Sequence, residues 1–194
     1  MPRAAPVLRK ALKDLNLLKV LQSEINYELS SNLFQNEQIG SLGDFTVDWD
    51  APETQDVFLL RKCEWGEDVA VSALLGPETF TEGVKFPREV LMKVCVKKSG
   101  LSLLLQFDCL LQKVLGSEFD IYNAYYLQLS TCLVPSVYRG PLFSELDPQF
   151  QDALKDYLIS RGVGESLTNF LLHHLHKKEQ GQYVNWLHNL KSLV

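Results

Sequence analysis

Three histidines near the carboxyl end of the chain are the first group that could bind a metal ion. The stretch "HHLHKKE" places His173, His174 and His176 within one predicted helix. A metal site needs three or four ligands, and no cysteine or carboxylate is placed to complete this set. We therefore interpret these residues as histidines on a helix surface. No metal and no cofactor are predicted.

Asp108 is an acidic residue inside a strongly apolar strand, "LSLLLQFDCLLQ". Strand alternation puts it on the same face as Ser102, Leu104, Gln106 and Leu110. Burial there could raise the pKa of its carboxyl group and suit it to acid–base catalysis. A hydrogen-bonded structural acid is the preferred interpretation, because structural roles are the commoner ones for such an acid. The sequence has no phosphate-binding loop or nucleophile motif. The alternative is an enzyme or small-molecule carrier that uses Asp108 on the concave face of a sheet.

Acidic residues are concentrated in one part of the chain. Residues 44–82 contain ten of them against Arg61 and Lys62, whereas the net charge of the whole chain is −5. Such a segment predicts an acidic surface, which either attracts basic proteins or only keeps the protein solvated. The negative net charge argues against direct binding of nucleic acid. The predicted partner-binding face consists of Asp44, Asp48, Asp50, Glu53, Asp56, Glu64, Glu67 and Asp68.

Composition indicates an ordinary globular chain of 194 residues, with 46% hydrophobic and 22% charged residues. No apolar run approaches the roughly 20 residues that span a bilayer, so no membrane span is expected. The four cysteines are far apart and are interpreted as free thiols in a reducing compartment. We predict one domain over residues 1–194. Residues 1–6 are assigned to a disordered end or to the remnant of a targeting segment.

The elements that would position these residues follow from hydrophobic periodicity. A heptad-like stripe predicts a coiled-coil-type helix over residues 7–29. Alternating segments such as "DFTVDWD" and "REVLMKVCVKK" then predict seven strands, the last of them in "VPSVYRGPLFSEL". Asp147 and Pro148 open a helix that ends at Arg161-Gly162, and a further helical pattern continues to the end of the chain. Strands and helices in separate blocks predict an α+β fold with a twisted antiparallel sheet.

The two terminal helices both carry apolar faces that need a partner. We predict that they pack on each other, and periodicity leaves open whether they do so within one chain or between subunits. The residues assigned to this packing and to oligomer contacts are Leu15, Leu18, Ile25, Leu29, Tyr183, Trp186, Leu187, Leu190 and Leu193.

Several of these segments resemble the mitochondrial glycoprotein family of acidic matrix proteins, whose animal members are receptors for the globular heads of a complement component. The most specific match runs from Leu146-Asp147 through "LKDYLISRGV" (154–163) to "YVNWLHNLKSLV" (183–194). "LLRKCEWGEDVAVSALL" is similar to two family strands, and "LLKVLQSEINYEL" looks like the first helix of plant members. The resemblance covers about residues 15–194.

The resemblance implies a seven-stranded sheet flanked by one N-terminal and two C-terminal helices, and a ring-shaped homotrimer with paired terminal helices. It implies no catalytic site. The expected role is that of a chaperone or adaptor for basic ribosomal or other matrix proteins. Through them it would support mitochondrial ribosome assembly, translation and oxidative phosphorylation. A cytosolic or nuclear location, with regulation of RNA processing through basic splicing proteins, is the alternative.

Overall fold

The computed structural model of the chain describes residues 4–31, 40–63, 66–78, 80–81, 84–85, 88–112, 119–128 and 138–194. One long helix precedes eight strands, and two helices follow them. The elements are α1 (Ala4–Ser30), β1 (Thr46–Trp49), β2 (Asp56–Lys62), β3 (Glu67–Leu75), β4 (Phe80–Thr81), β5 (Val84–Lys85), β6 (Val90–Lys98), β7 (Leu103–Leu111), β8 (Phe119–Gln128), a 3-10 turn (Phe143–Glu145), α2 (Pro148–Ile159) and α3 (Glu165–Leu193). Within the described ranges, no helix has the length and apolarity needed to cross a membrane.

Six of the strands form one antiparallel sheet in the order β1-β2-β3-β6-β7-β8, and β4 pairs with β5 in a separate two-stranded sheet. Neighbours in the large sheet follow one another in sequence apart from the β4–β5 pair, which is the order of an antiparallel meander. The α+β prediction is therefore confirmed. The prediction of a seventh strand in residues 134–146 was wrong for the described part of that segment. Gly140 has a positive φ, and residues 143–145 form the 3-10 turn.

The core lies on one face of the large sheet. Period-two alternation sends Val69, Val71 and Ala73 of β3 to that face, and their side chains are fully buried. The equivalent positions of β6 and β7 lie in the same cluster, and α2 and the first half of α3 complete it. Their contributions are Val90, Met92, Val94, Val96, Phe107, Cys109, Leu111, Leu158, Leu167, Leu171 and Leu175. In β3 and β6 the buried residues are every second one, as the alternation in their sequences predicts.

Strand β1 is an edge strand and is exposed along its whole length. Phe45, just before it, is buried, but Val47 and Trp49 are 47% and 54% exposed. The register between β1 and β2 shifts between Val47 and Trp49, which interrupts the alternation. Alternation in "DFTVDWD" predicts that Phe45, Val47 and Trp49 share one face of the sheet, but only the first of them is buried.

Helix α2 begins and ends as the sequence predicts. The Asp147 side chain accepts a hydrogen bond of 2.9 Å from the Gln149 backbone N–H, and Pro148 occupies the first turn. At the other end Gly162 adopts a φ of +83°. The Gly162 N–H donates to the Ile159 carbonyl and the Val163 N–H to the Leu158 carbonyl. This pair of bonds is the Schellman arrangement, which needs a residue in the left-handed region and thus favours glycine.

The chain divides into two compact units, one made of residues 38–176 and the other of residues 1–37 with 177–194. The first contains the large sheet, and the second contains α1 and the carboxyl-terminal part of α3. In the second unit Leu21, Ile25 and Leu187 form a small buried cluster, with Leu190 packed against it. The single-domain assignment of residues 1–194 stays a prediction. Of residues 1–6, the last three lie in α1, and the first three lie outside the described residues.

Candidate functional site

The predicted acidic face is less uniform than the sequence indicates. Asp48, Asp50 and Glu53 are exposed on β1 and on the connection to β2. The Asp50 carboxylate lies 2.8 Å from Nε2 of His174. Asp56 is half-buried at the start of β2, and Glu64 lies outside the described residues. We call Asp48, Asp50 and Glu53 the acidic edge, because they follow the edge strand of the sheet.

Two other members of the predicted face have basic neighbours. Asp44 is exposed, but its carboxylate contacts Nη2 of Arg61 at 2.8 Å. Asp68 is exposed on β3, where the antiparallel register puts it opposite Lys62 on one side and Lys97 on the other. Opposite charges on directly paired strand positions attract each other. Asp44 and Asp68 therefore add less negative potential than their formal charge.

Glu67 departs most from its predicted role, because it is only 6% exposed. Its carboxylate accepts a 2.7 Å bond from Nε of Arg161 and lies 3.3 Å from Nζ of Lys98. The Arg161 hydrogen bond, opposed by burial, keeps the pKa of Glu67 below its usual range. The inclusion of Glu67 in an exposed binding face was therefore wrong, because a buried carboxylate needs a charged or hydrogen-bonding partner within the fold.

Arg161 and Arg61 are both held in place by several contacts. Arg161 donates from Nη1 to the Tyr157 carbonyl and to Oγ of Ser160, and its guanidinium lies 3.4 Å from the centre of the Tyr157 ring. Arg61 lies 5.9 Å from the centre of the Phe45 ring. Stacking and hydrogen bonding restrict the guanidinium of Arg161, and that of Arg61 is contacted by the Phe45 ring and by Asp44. Sequence analysis identified Arg161 only as part of the end of a helix, and it did not predict the contacts of Arg161 and Arg61 described here.

The two guanidinium groups line one open cavity of about 560 Å³. Its other described lining residues are Asp44, Lys62, Cys63, Glu67 and Ser160. Three cations and two carboxylates face this space, so the described lining carries a net positive charge. A positively charged cavity is unexpected in a chain with a net charge of −5.

Asp108 belongs to a polar cluster on the face of the sheet opposite the core. It accepts hydrogen bonds from Nε2 of Gln106 (2.9 Å), the Tyr125 hydroxyl (3.3 Å) and Nδ2 of Asn123 (3.5 Å). Burial, and then the Asp108 carboxylate, raises the pKa of Tyr125 and that of Cys95. Three donors around one carboxylate support the interpretation of Asp108 as a hydrogen-bonded structural acid.

The three histidines are more buried than predicted. His176 is 8% exposed, and His173 and His174 are half-buried on the first half of α3. The ring of His174 stacks on that of Phe170 at 5.3 Å. The helix-surface interpretation was wrong for His176, which is buried together with Leu172, one turn before it on α3. Within the described residues, no group of three or more histidine, cysteine or acidic side chains could hold a metal ion.

Only part of the predicted terminal-helix set is buried. Ile25, Leu187 and Leu190 pack together, and Leu18 is half-buried. Hydrogen bonds also join α1 to the carboxyl-terminal part of α3. Nε2 of Gln180 donates to the Glu28 carbonyl and to Oγ of Ser31. The remaining members are exposed to between 38% and 83%, namely Leu15, Leu29, Tyr183, Trp186 and Leu193.

Residues 85–194 match the family model MAM33, described as mitochondrial glycoprotein. An uncharacterised mitochondrial protein of Arabidopsis thaliana is 30% identical over 190 residues, which cover 92% of this chain and 74% of the relative. The chain belongs to the mitochondrial glycoprotein family. The mitochondrial acidic protein mam33 of Schizosaccharomyces pombe is 26% identical over 218 residues, covering 92% of this chain and 77% of that protein.

Two solved structures show the same fold. The p22 protein of Trypanosoma brucei superposes with a TM-score of 0.72 at 20% identity, covering 94% of this chain and 98% of the other. A Leishmania major protein described as a sequence homologue of human p32 gives 0.71 at 21% identity, with coverages of 93% and 98%.

The comparisons confirm the family resemblance and the mitochondrial location. Both relatives are named as mitochondrial proteins, and the family description is mitochondrial as well. We therefore describe this chain as a mitochondrial member of the mitochondrial glycoprotein family, with an acidic net charge.

Proposed function

We propose that this protein is a homotrimer of the mitochondrial matrix that binds basic proteins and has no enzymatic activity of its own. As a chaperone or adaptor for ribosomal and other basic clients, it would support mitochondrial ribosome assembly, translation and oxidative phosphorylation. The observation that carries the proposal is the acidic edge, where the exposed residues Asp48, on the edge strand, and Asp50 and Glu53, just after it, lie close together in sequence, and Asp50 also contacts His174.

The acidic edge also offers apolar contact area and backbone groups. Val47 and Trp49 are exposed on the same strand, and among the described strands β1 has only β2 as a neighbour in its sheet. An edge strand leaves one row of backbone N–H and C=O groups without a sheet partner. Carboxylates beside these groups favour a lysine- or arginine-rich segment over an acidic one.

Exposed apolar side chains on the helical pair support the proposed trimer. Leu15, Leu29 and Leu193 are 55%, 68% and 83% exposed. Apolar residues at this density on two paired helices favour burial against further protein. A second copy of the same pair is the proposed partner, since a homo-oligomer needs no other component.

Binding of a lysine-rich peptide to the full chain tests the acidic edge. We expect the affinity to fall by at least about tenfold between low salt and about 0.5 M salt, because exposed charges are screened at high ionic strength. The double substitution Asp48→Asn with Glu53→Gln should weaken binding at low salt. The matched control is Asp152→Asn with Asp156→Asn on α2, which removes the same charge from two exposed residues elsewhere.

Two results would contradict the acidic-edge proposal. One is an affinity that does not change with salt, and the other is an equal loss in the control variant. The trimer is tested separately by light scattering of the purified chain, where a mass three times that of the 22.1 kDa chain is expected.

A further inference from the structure

We propose that the cavity between Arg61 and Arg161 binds a small oxyanion that carries two or more negative charges, such as a phosphate ester. This site is separate from the acidic edge and would take a ligand of the opposite charge. No part of the proposed client binding depends on it.

The first argument is the charge of the cavity. Arg61, Lys62 and Arg161 line it, and Glu67 is the buried carboxylate among its lining residues. The negative charge of Glu67 is already compensated by its ion pairs with Arg161 and Lys98. Among the described lining residues, Asp44 then opposes the positive charges of Arg61 and Lys62, and Asp68 lies opposite Lys62 in the strand register outside the lining.

The second argument is that Asp44 can be displaced. Its side chain is 76% exposed, whereas that of Arg61 is 20% exposed. An ion pair with so exposed a carboxylate contributes little to stability, because water solvates the carboxylate equally well when the pair is open. An incoming oxyanion can therefore replace Asp44 at Arg61 at a small cost in free energy.

The third argument is the packing around the two guanidinium groups. Gly162 lies against Arg61, and a Cβ atom at this position would collide with Nη1 of Arg61. In Arg161, Nε and Nη1 are engaged by Glu67, Tyr157 and Ser160, and Nη2 makes none of these bonds. Preorganised guanidinium donors lose little entropy on binding, and their planar fork matches phosphate and carboxylate oxygens. The volume of about 560 Å³ suits a small organic anion.

Calorimetric titration of the full chain with pyrophosphate, at constant ionic strength set with chloride, tests this site. We expect one saturable site per chain. Arg61→Gln should lower the affinity about tenfold, since one charge-assisted hydrogen-bonding group is lost. Lys62→Gln should lower it about threefold. Lys62 is exposed, so this second variant keeps the test valid if Arg61→Gln does not fold. Lys19→Gln, at an exposed position outside the cavity lining, is the charge-matched control.

Asp44→Asn gives the sharpest result, because it should strengthen pyrophosphate binding by removing the competing carboxylate. If the cavity binds basic groups instead, Asp44→Asn should not strengthen pyrophosphate binding. Cys63 lines the cavity and supplies an independent readout, since bound pyrophosphate should slow its alkylation.

Citrate and pyrophosphate titrations distinguish a carboxylate from a phosphate ligand, and tighter binding of either one supports the oxyanion site. Absence of saturable binding for both anions would overturn the proposal. Weaker binding in Asp44→Asn, or an equal loss in Lys19→Gln and Lys62→Gln, would also overturn it. Because the peptide titration uses other residues and a cationic probe, either proposal can fail without the other.

Discussion

Glu67 shows how a single residue can change its role when the chain folds. It lies in an acidic segment and alternates with hydrophobic residues, but it points to the core side of β3 together with Val69 and Val71. Arg161, 94 positions further along the chain, supplies the opposite charge. A carboxylate of this kind stabilises the fold only while it is ionised and paired.

The pH dependence of stability follows from the lowered pKa of Glu67. Because the folded pKa lies below the usual value of 4.5, the unfolded chain takes up this proton first as pH falls. The stabilisation is complete above about pH 4.5 and is lost as pH falls through the lower, folded pKa. Glu67→Gln should cost about 1.5–3 kcal/mol at neutral pH. The difference in free energy of unfolding between wild type and variant should shrink below pH 4.5.

Denaturant titrations at a series of pH values measure this difference. Glu53→Gln, which neutralises an exposed acid, serves as the control and should show little pH-dependent change. A constant difference between wild type and Glu67→Gln across the acidic range would contradict the assigned ion pair.

The end of α2 is the element that brings the charged cavity together. The Schellman turn at Gly162 reverses the chain immediately after Arg161, and Val163 and Leu158 are both fully buried beside the turn. The turn therefore holds Arg161 at the cavity, because the buried side chains of Leu158 and Val163 keep the backbone on either side of it packed in the core. The same glycine leaves the space that Arg61 occupies.

Gly162→Ala should destabilise the protein more than an alanine at another left-handed glycine. The left-handed backbone alone costs about 1–2 kcal/mol for an L-residue. Gly43→Ala is the matched control. Gly43 has a φ of +56°, and no atom lies within 4 Å of the position that an alanine Cβ would take. If Gly162→Ala lowers the free energy of unfolding more than Gly43→Ala does, as measured by denaturant titration, the difference is the cost of the collision with Arg61. Equal losses in the two variants would show that Arg61 moves aside freely.

At the level of the whole molecule, the helical pair combines a small core with a large exposed apolar surface. Leu187 is 3% exposed and belongs to the buried cluster, whereas its neighbour Trp186 is 55% exposed. The two side chains point to different sides of α3, as adjacent helical positions do. One residue is thus available for packing within the chain and the other for contact with a second copy.

Leu187→Ala and Trp186→Ala should therefore have different effects. Leu187→Ala removes a buried side chain and should cost about 2–3 kcal/mol, with faster hydrogen exchange in α1 and the end of α3. Trp186→Ala should leave this exchange unchanged and reduce the proportion of trimer, measured by sedimentation velocity. A trimer unaffected by Trp186→Ala would contradict a contact at this position, and unchanged exchange in Leu187→Ala would contradict the pairing of the two helices.

The sequence by itself determined the fold class, the positions of six strands and the family. These follow from local rules: period-two alternation, the Asp147-Pro148 start of α2 and its Gly162 stop act over a few residues and are readable directly. The motif from residue 146 to residue 194 carried the family resemblance and, with it, the mitochondrial location.

Only the tertiary structure decided which acidic residues are free to bind a partner. Glu67 is paired by Arg161, Asp44 by Arg61, and Asp68 is flanked by lysines of two neighbouring strands, whereas Asp48 and Glu53 of the acidic edge are exposed and Asp50 contacts His174. It also placed two arginines 100 positions apart in the sequence around one cavity. The physical reason is that electrostatic interactions depend on distance and burial in space, and neither quantity can be read from the spacing of charges along a chain.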